Sequence, residues 1–279
     1  METGQQTYQA RNNINKPTNI MLSIQVSLNG LSFCTLNTQN QSITYYSTIV
    51  FDKRLTPNLL LERLISQLNS DKNLQKDFDQ VIVIHENELS TLVPNKVFNE
   101  DHMADYLKFN SKILSTDYIT YDAIKTNKCV NVYVPYVNVN NYVYDQFGEF
   151  KYLHFSTVLI EKLLNEFQDV SDDSMVVHVS NGHFEIVVIG SNGLRLYNSF
   201  EFHTKEDFIY YILFTIEQLQ LDPETIEVNL MGDIMKDDDL YKMIYEYIRH
   251  ISFFPVASKF SVPKKHKDIL FNYTLCNSF

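Results

Sequence analysis

From Met21 the chain alternates: Leu22, Ile24 and Val26 fall on one side and Ser23, Gln25 and Ser27 on the other. That period of two predicts a half-buried strand. Asn29-Gly30 follows, and this dipeptide predicts a type I′ hairpin turn, which needs positive φ at both positions. Residues 31–36 return as a second strand, and residues 42–51, rich in β-branched and aromatic side chains, supply a third. The period then changes. Leu59, Leu60, Leu64, Ile65 and Leu68 recur at helical spacing behind Thr56-Pro57, a pair that suits a helix start. The short apolar run Val81-Ile-Val-Ile84 predicts a central strand covered on both faces.

The same succession of elements returns in the second half. Residues 175–179 read as a strand, Asn181-Gly182 as a turn, residues 184–189 as a strand, Asn192-Gly193 as a turn and residues 194–202 as a third strand. A helix begins at Thr204, with Asp207 three residues on in the manner of a capping box, and runs to about Leu221. Residues 226–230 form the strand after it. Ser27-Leu-Asn-Gly30 therefore stands over Ser180-Asn-Gly182, a shift of 153 residues between the two serines, and the pattern predicts an internal structural duplication.

Between the halves, the pattern predicts helices at 100–109, 139–147 and 158–167 and strands at 130–134 and 151–155. Asp169-Val-Ser-Asp-Asp173 is an acidic bridge and the expected boundary between a first domain, 20–173, and a second, 174–279. The second domain closes with a helix at 238–248, a strand at 251–255 and a basic cluster, Lys264-Lys265-His266-Lys267. Residues 1–19 are polar, Gln/Asn-rich and aperiodic, and read as a disordered tail.

Composition narrows the function classes. The chain has 279 residues, 34 Asp+Glu against 23 Lys+Arg, and a net charge of −11. That balance disfavours nucleic acid and anionic membranes as partners. No apolar run is long enough to span a bilayer, and the N-terminus has no apolar core of the kind a secretory signal needs. Three scattered cysteines exclude a disulfide framework and point to the cytoplasm.

Several stretches resemble a Bacteroidota family of unknown function with an actin-like ATPase (ribonuclease H-like) fold. They are Asn131-Val-Tyr-Val-Pro135, His154-Phe-Ser-Thr157, Tyr197-Asn-Ser-Phe200, Thr204-Lys-Glu-Asp-Phe-Ile-Tyr-Tyr-Ile-Leu-Phe214, Glu217-Gln-Leu219 and Tyr247-Ile-Arg249. The likeness runs over residues 22–256. It implies a duplicated α/β fold of two lobes, each with a mixed sheet flanked by helices, and no established activity.

What it implies about chemistry can be set against the residues. Actin-like ATPases hold phosphate on backbone N–H groups of a glycine turn in each half, and an Asp of a D-x-G pattern holds hydrated Mg²⁺, which needs a hard anionic oxygen. Here Ser27 and Ser180 stand at the Asp positions, and Asn29 and Asn181 carry no charge. At the adenosine landmark, a Gly-Gly pair, Gly232 is kept and Asp233 replaces the second glycine. The expectation is that Mg-ATP turnover is lost and ATP binding disfavoured.

Each of these residues also has a plainer reading. Ser27, Asn29, Gly30, Ser180, Asn181 and Gly182 line a reduced nucleotide cleft with Gly232 and Asp233, or they are ordinary hairpin turns. Asp233 with Asp237, Asp238 and Asp239 gathers a cation, or simply complements a helix N-terminus. His154, His178 and His183 have no ligand spacing and read as core-edge or surface histidines. His85-Glu86-Asn87-Glu88 lacks the second histidine of a zinc-protease motif.

The helix from Lys205 is apolar almost all round, which predicts burial on more than one side, as at the floor of a cleft. The other reading is a Tyr/Phe-rich partner surface. Two functions follow: a cytoplasmic, non-catalytic scaffold with an unknown protein partner, or an atypical ATP-binding ATPase or kinase with Asp233 as the first acid to suspect. A filament-forming or membrane-associated role is weaker, since no Lys- and aromatic-rich terminal helix supports it.

Overall fold

The computed structural model describes residues 18–254, 260–262 and 272–279. The chain separates into two compact units. The first holds the described residues of Met1–Glu161, Ser258–Ile269 and Thr274–Phe279; the second those of Lys162–Ala257 and Leu270–Tyr273. The basic cluster 264–267 and tail residues 1–17 lie outside the described residues. Thr18 and Asn19, the end of the expected tail, are tied down: the Thr18 hydroxyl and both backbone N–H groups donate to Asp79 at 2.7–2.9 Å.

In the first unit, β1 (Ile20–Ser27), β2 (Gly30–Asn37) and β3 (Ser42–Val50) form an antiparallel meander, followed by α1 (Pro57–Ser70) and β4 (Gln80–His85). Thr56 caps α1 by accepting from the Leu59 N–H, and Pro57 occupies the first turn, where a missing N–H is harmless. Next come β5 (Ser90–Pro94), α2 (Met103–Lys108), β6 (Thr120–Ile124), β7 (Cys129–Tyr133), α3 (Val137–Phe147), β8 (Lys151–His154) and α4 (Phe155–Glu166), whose residues from Lys162 on belong to the second unit.

The main sheet has the order β3-β2-β1-β4-β8, with β1, β4 and β8 parallel. Leu22, Ile24, Val26 and Phe33 on one face pack with Leu60 and Leu64 of α1 and Val139 and Val143 of α3. β5, β7 and β6 make a separate antiparallel sheet whose Val93, Val130 and Val132 pack with Leu107 of α2.

The expected half-buried β1 is buried on both faces. Ser23 and Gln25 receive hydrogen bonds from the C-terminal segment, Ser278 Oγ to Ser23 Oγ at 2.8 Å and Thr274 Oγ1 to Gln25 Oε1 at 2.7 Å. Local alternation reports side-chain polarity, and a polar side is buried when hydroxyls meet it.

The second unit repeats the order. β9 (Ser174–Ser180), β10 (His183–Gly190) and β11 (Gly193–Glu201) form a meander, then α5 (Lys205–Gln218), β12 (Glu227–Gly232), α6 (Asp239–Tyr247) and β13 (His250–Phe253). Its sheet runs β11-β10-β9-β12-β13, with β9, β12 and β13 parallel. The capping box is complete: Asp207 N–H donates to Thr204 Oγ1 at 3.1 Å and Thr204 N–H to Asp207 Oδ2 at 3.0 Å. The N–H groups of His203 and Thr204, both donating to Asp207 Oδ2, hold that carboxyl below its usual range.

α5 packs on the sheet and against α6, but it is not buried all round. Phe208, Ile209, Ile212 and Ile216 pack on the sheet, while Tyr210 and Phe214 face outward. Among the described residues no helix is long and apolar enough to cross a membrane.

Candidate functional site

The first turn differs from its expected geometry. Ser27 pairs with Gly30, so Leu28-Asn29 forms the two-residue loop, and neither residue nor Gly30 has positive φ. A type I′ turn on Asn29-Gly30 is therefore excluded. Ser27 Oγ donates to the Gly30 carbonyl at 3.3 Å and accepts from the Asn29 N–H at 3.2 Å. The Leu28 and Asn29 carbonyls accept from the N–H groups of Leu55 and Phe51. Gly30 is needed for proximity: a Cβ there would lie 2.6 Å from the Ile49 carbonyl oxygen on β3.

The second turn uses its glycine differently. Asn181-Gly182 is the loop between Ser180 and His183, and only Gly182 has positive φ, +81°. Positive φ at the second position alone has the pattern of a type II turn. Nothing lies within 4 Å of where a Gly182 Cβ would sit. Gly182→Ala should therefore cost only the left-handed backbone penalty, about 1–2 kcal/mol, readable as a lower thermal midpoint. The third turn is likewise shifted by one: Ser191-Asn192 is the loop, and Gly193 opens β11 at φ +93°.

Gly232 and Asp233 lie beside the second turn. Gly232 pairs with Val179, one residue before Ser180, and the Asp233 N–H donates to the Val179 carbonyl at 2.8 Å. The second unit thus gathers Ser180, Asn181, Gly182, Gly232 and Asp233 at the C-terminal ends of two adjacent parallel strands. Such ends are the ordinary ligand-facing edge of α/β sheets. Ser27, Asn29 and Gly30 occupy the matching edge of the first unit's own sheet. Asp233 is solvent-exposed. Asp238 is the N-cap residue of α6 and Asp239 lies in its first turn, but the Asp238 carboxylate makes no bond to the helix N–H groups and accepts instead from the Met235 N–H at 2.7 Å. Among the described residues no group of three or more His, Cys, Asp or Glu is placed to hold a metal ion.

The most developed polar arrangement is one the sequence did not single out as a unit. It joins the ends of β4 and β8 to β6 and β7. His85, which the motif argument set aside, is buried; its Nδ1 accepts from the Tyr136 N–H, so Nε2 carries the proton and donates to Asn140 Oδ1 at 2.9 Å. His154, expected at a core edge or surface, is buried too. Its Nδ1 accepts from the Ser156 N–H at 3.1 Å, and its Nε2 donates to the Asn87 carbonyl. His154 therefore works as an N-cap on α4, satisfying an N–H that has no helical partner.

Asp122 completes that helix start. Its carboxyl accepts from the His154 N–H and Thr157 Oγ1, both at 2.8 Å, and from Tyr133 Oη at 3.1 Å. Asn131 Nδ2 donates to Ser156 Oγ and Thr157 Oγ1, while its Oδ1 finds no partner among the described residues. Burial pushes the Asp122 carboxyl up to about 7 in spite of those three donors. Burial likewise pushes His85 down to about 3 and His154 to about 4.

Two stretches quoted for their resemblance, Asn131-Val-Tyr-Val and His154-Phe-Ser-Thr, are thus halves of one buried hydrogen-bonded network. β6, which supplies Asp122, is five residues long with an acid at its centre, too weak a pattern to predict as a strand.

In the second unit His178 is also buried, with Nδ1 3.0 Å from Glu185 Oε2; His183 is half-buried, 3.4 Å from Glu185 Oε1. Ser199, in the Tyr197-Asn-Ser-Phe stretch, donates to the same carboxylate at 3.3 Å.

Known structures place this architecture. A Bacteroides thetaiotaomicron protein with an actin-like ATPase fold and unknown function superposes with a TM-score of 0.78 at 22% identity, covering 95% of this chain and 98% of that one. A structure of the PilM-PilN type IV pilus biogenesis complex matches with a TM-score of 0.56 at 11% identity, over 92% of this chain and 97% of that one. No curated protein matches. The fold is therefore the actin-like ATPase fold. The sequence pattern of one family extends over residues 9–251, and the chain belongs to that family, described as "Protein of unknown function (DUF3822)".

Proposed function

We propose that this chain is a non-catalytic actin-like-fold protein that serves as a cytoplasmic protein-binding scaffold. The observation that carries the reading is the internal use of the first turn. The Ser27 hydroxyl and the Asn29 N–H bond to each other, Ser27 also donates to Gly30, and no side chain from Ser27 to Gly30 is anionic. A phosphate turn needs open N–H groups and a charge for the metal. In the second turn Ser180 and Asn181 likewise bring no charge.

The identical strand orders of the two sheets support an origin by internal duplication. The buried thiols of Cys34, Cys129 and Cys276 support a reducing compartment.

The second reading, an atypical ATPase or kinase, draws on one observation: the exposed Asp233 carboxylate stands beside the Ser180–Gly182 turn. Calorimetry with millimolar Mg-ATP separates the two. The scaffold predicts no measurable heat and no thermal stabilisation. Micromolar binding that Asp233→Asn abolishes would establish the second reading in its place.

A further inference from the structure

We propose that the outward line of α5 is a docking site for a cationic, arginine-bearing segment of a partner protein. The proposal rests on the binding-module reading and names the chemistry of the partner. On this helix Phe208, Ile212 and Ile216 face the sheet. The side away from Ile212 holds Tyr210 and Phe214, 60% and 42% exposed. Their rings stack with centroids 6.0 Å apart and planes at 19°. A solvent-facing helix line is ordinarily polar, and aromatic rings held there form a ready-made hot spot.

Glu206 lies four residues before Tyr210, and Glu217 three after Phe214. The outward line is thus carboxylate, ring, ring, carboxylate. The two carboxylates stand about 16 Å apart along the axis at the ordinary helical rise. The capping box at Thr204 and Asp207 fixes the start of the helix, so the line is organised before any partner arrives.

Charge distribution selects the partner. Residues 162–254 contain 17 Asp+Glu and 6 Lys+Arg, a net of −11, and the rest of the chain balances 17 against 17. The whole net charge of the protein sits on the unit that carries α5. Nucleic acid, anionic lipid and a second α5 face are repelled from it, whereas a cationic segment is drawn in. Arginine suits the line best, because its planar guanidinium stacks on aromatic rings and bonds carboxylates in a bidentate fork.

The test uses the full chain and a helical peptide carrying two arginines eleven positions apart with leucine between them. Fluorescence anisotropy should show saturable binding that weakens as salt rises. Tyr210→Ala with Phe214→Ala should lower affinity about tenfold or more, and Glu206→Gln with Glu217→Gln should flatten the salt dependence. Both pairs alter exposed side chains and should leave the thermal midpoint in place.

Absence of binding, equal binding to the doubly substituted chain, or equal binding of a peptide with glutamate for arginine would overturn the proposal. So would a single-stranded oligonucleotide that binds as well, or sedimentation showing a dimer that Tyr210→Ala/Phe214→Ala dissociates. The Mg-ATP experiment is independent. Nucleotide binding beside intact peptide binding would sink the non-catalytic reading and leave the docking site standing.

Discussion

Gly232→Ala should unfold the second unit or lower its stability by roughly 3 kcal/mol or more, the scale of severe substitutions in folded domains. Two effects coincide at this position. Gly232 has φ +82°, a left-handed conformation that a side chain strains, and an added Cβ would overlap the Val179 carbonyl oxygen and lie 3.0 Å from the Val179 nitrogen. The obstacle is backbone of the central strand β9, held in a ladder on both sides, so no rotamer change relieves it. Gly182 shares the positive φ but has open space, and the contrast between the two alanine variants isolates the steric part. Hydrogen exchange should show lost protection in β9 and β12 for Gly232→Ala. Equal, modest losses for both variants would mean that β12 can move away from β9, and the argument from close approach would fail.

Acid should destabilise the first unit with a slope set by three buried groups. His85 and His154 have folded values of about 3 and 4 against an ordinary 6.5. Their stabilising contribution is present above pH 6.5 and is lost as pH falls through those lower values. Asp122 acts oppositely. Its folded value of about 7 lies above the ordinary 3.8, so its contribution is complete below 3.8 and is lost as pH rises through 7.

Between pH 6.5 and 4 the unfolded chain holds both histidine protons and the native unit holds the Asp122 proton. The net difference is one proton, or about 1.4 kcal/mol per pH unit and about 3 kcal/mol over the interval. Removing the opposing group with Asp122→Asn should make the slope about twice as steep. Hydrogen exchange of β4, β7 and β8 amides at pH 4.5, 5.5 and 6.5, corrected for the intrinsic exchange rate, measures it. Stability that stays flat or rises on acidification would show that the histidines are not buried as neutral rings.

Both predictions turn on close approaches that no local pattern contains, which marks where sequence reasoning stops. Alternation over Leu22–Val26, the leucine spacing of α1, the Thr204–Asp207 capping box and the apolar run of β4 are local consequences of strand and helix periodicity. The residues themselves determined those elements, and with them the matching succession in the two halves. That no side chain from Ser27 to Gly30 or from Ser180 to Gly182 is anionic was equally legible, because charge is a property of the residues themselves.

Tertiary structure decided the rest. Asn29-Gly30 is a strong hairpin signal, yet the loop falls one residue earlier, because register is set by pairing across β1, β2 and β3 and the glycine is needed against Ile49. β5 and β6 are short strands that hold only by pairing with β7, so their own residues could not announce them. The buried network unites Asp122, Asn131, His154 and Thr157 from four elements through hydrogen bonds across up to 35 positions. Such a network exists only once the chain has closed on itself, since each polar group is tolerable in the interior only when its partner is already there.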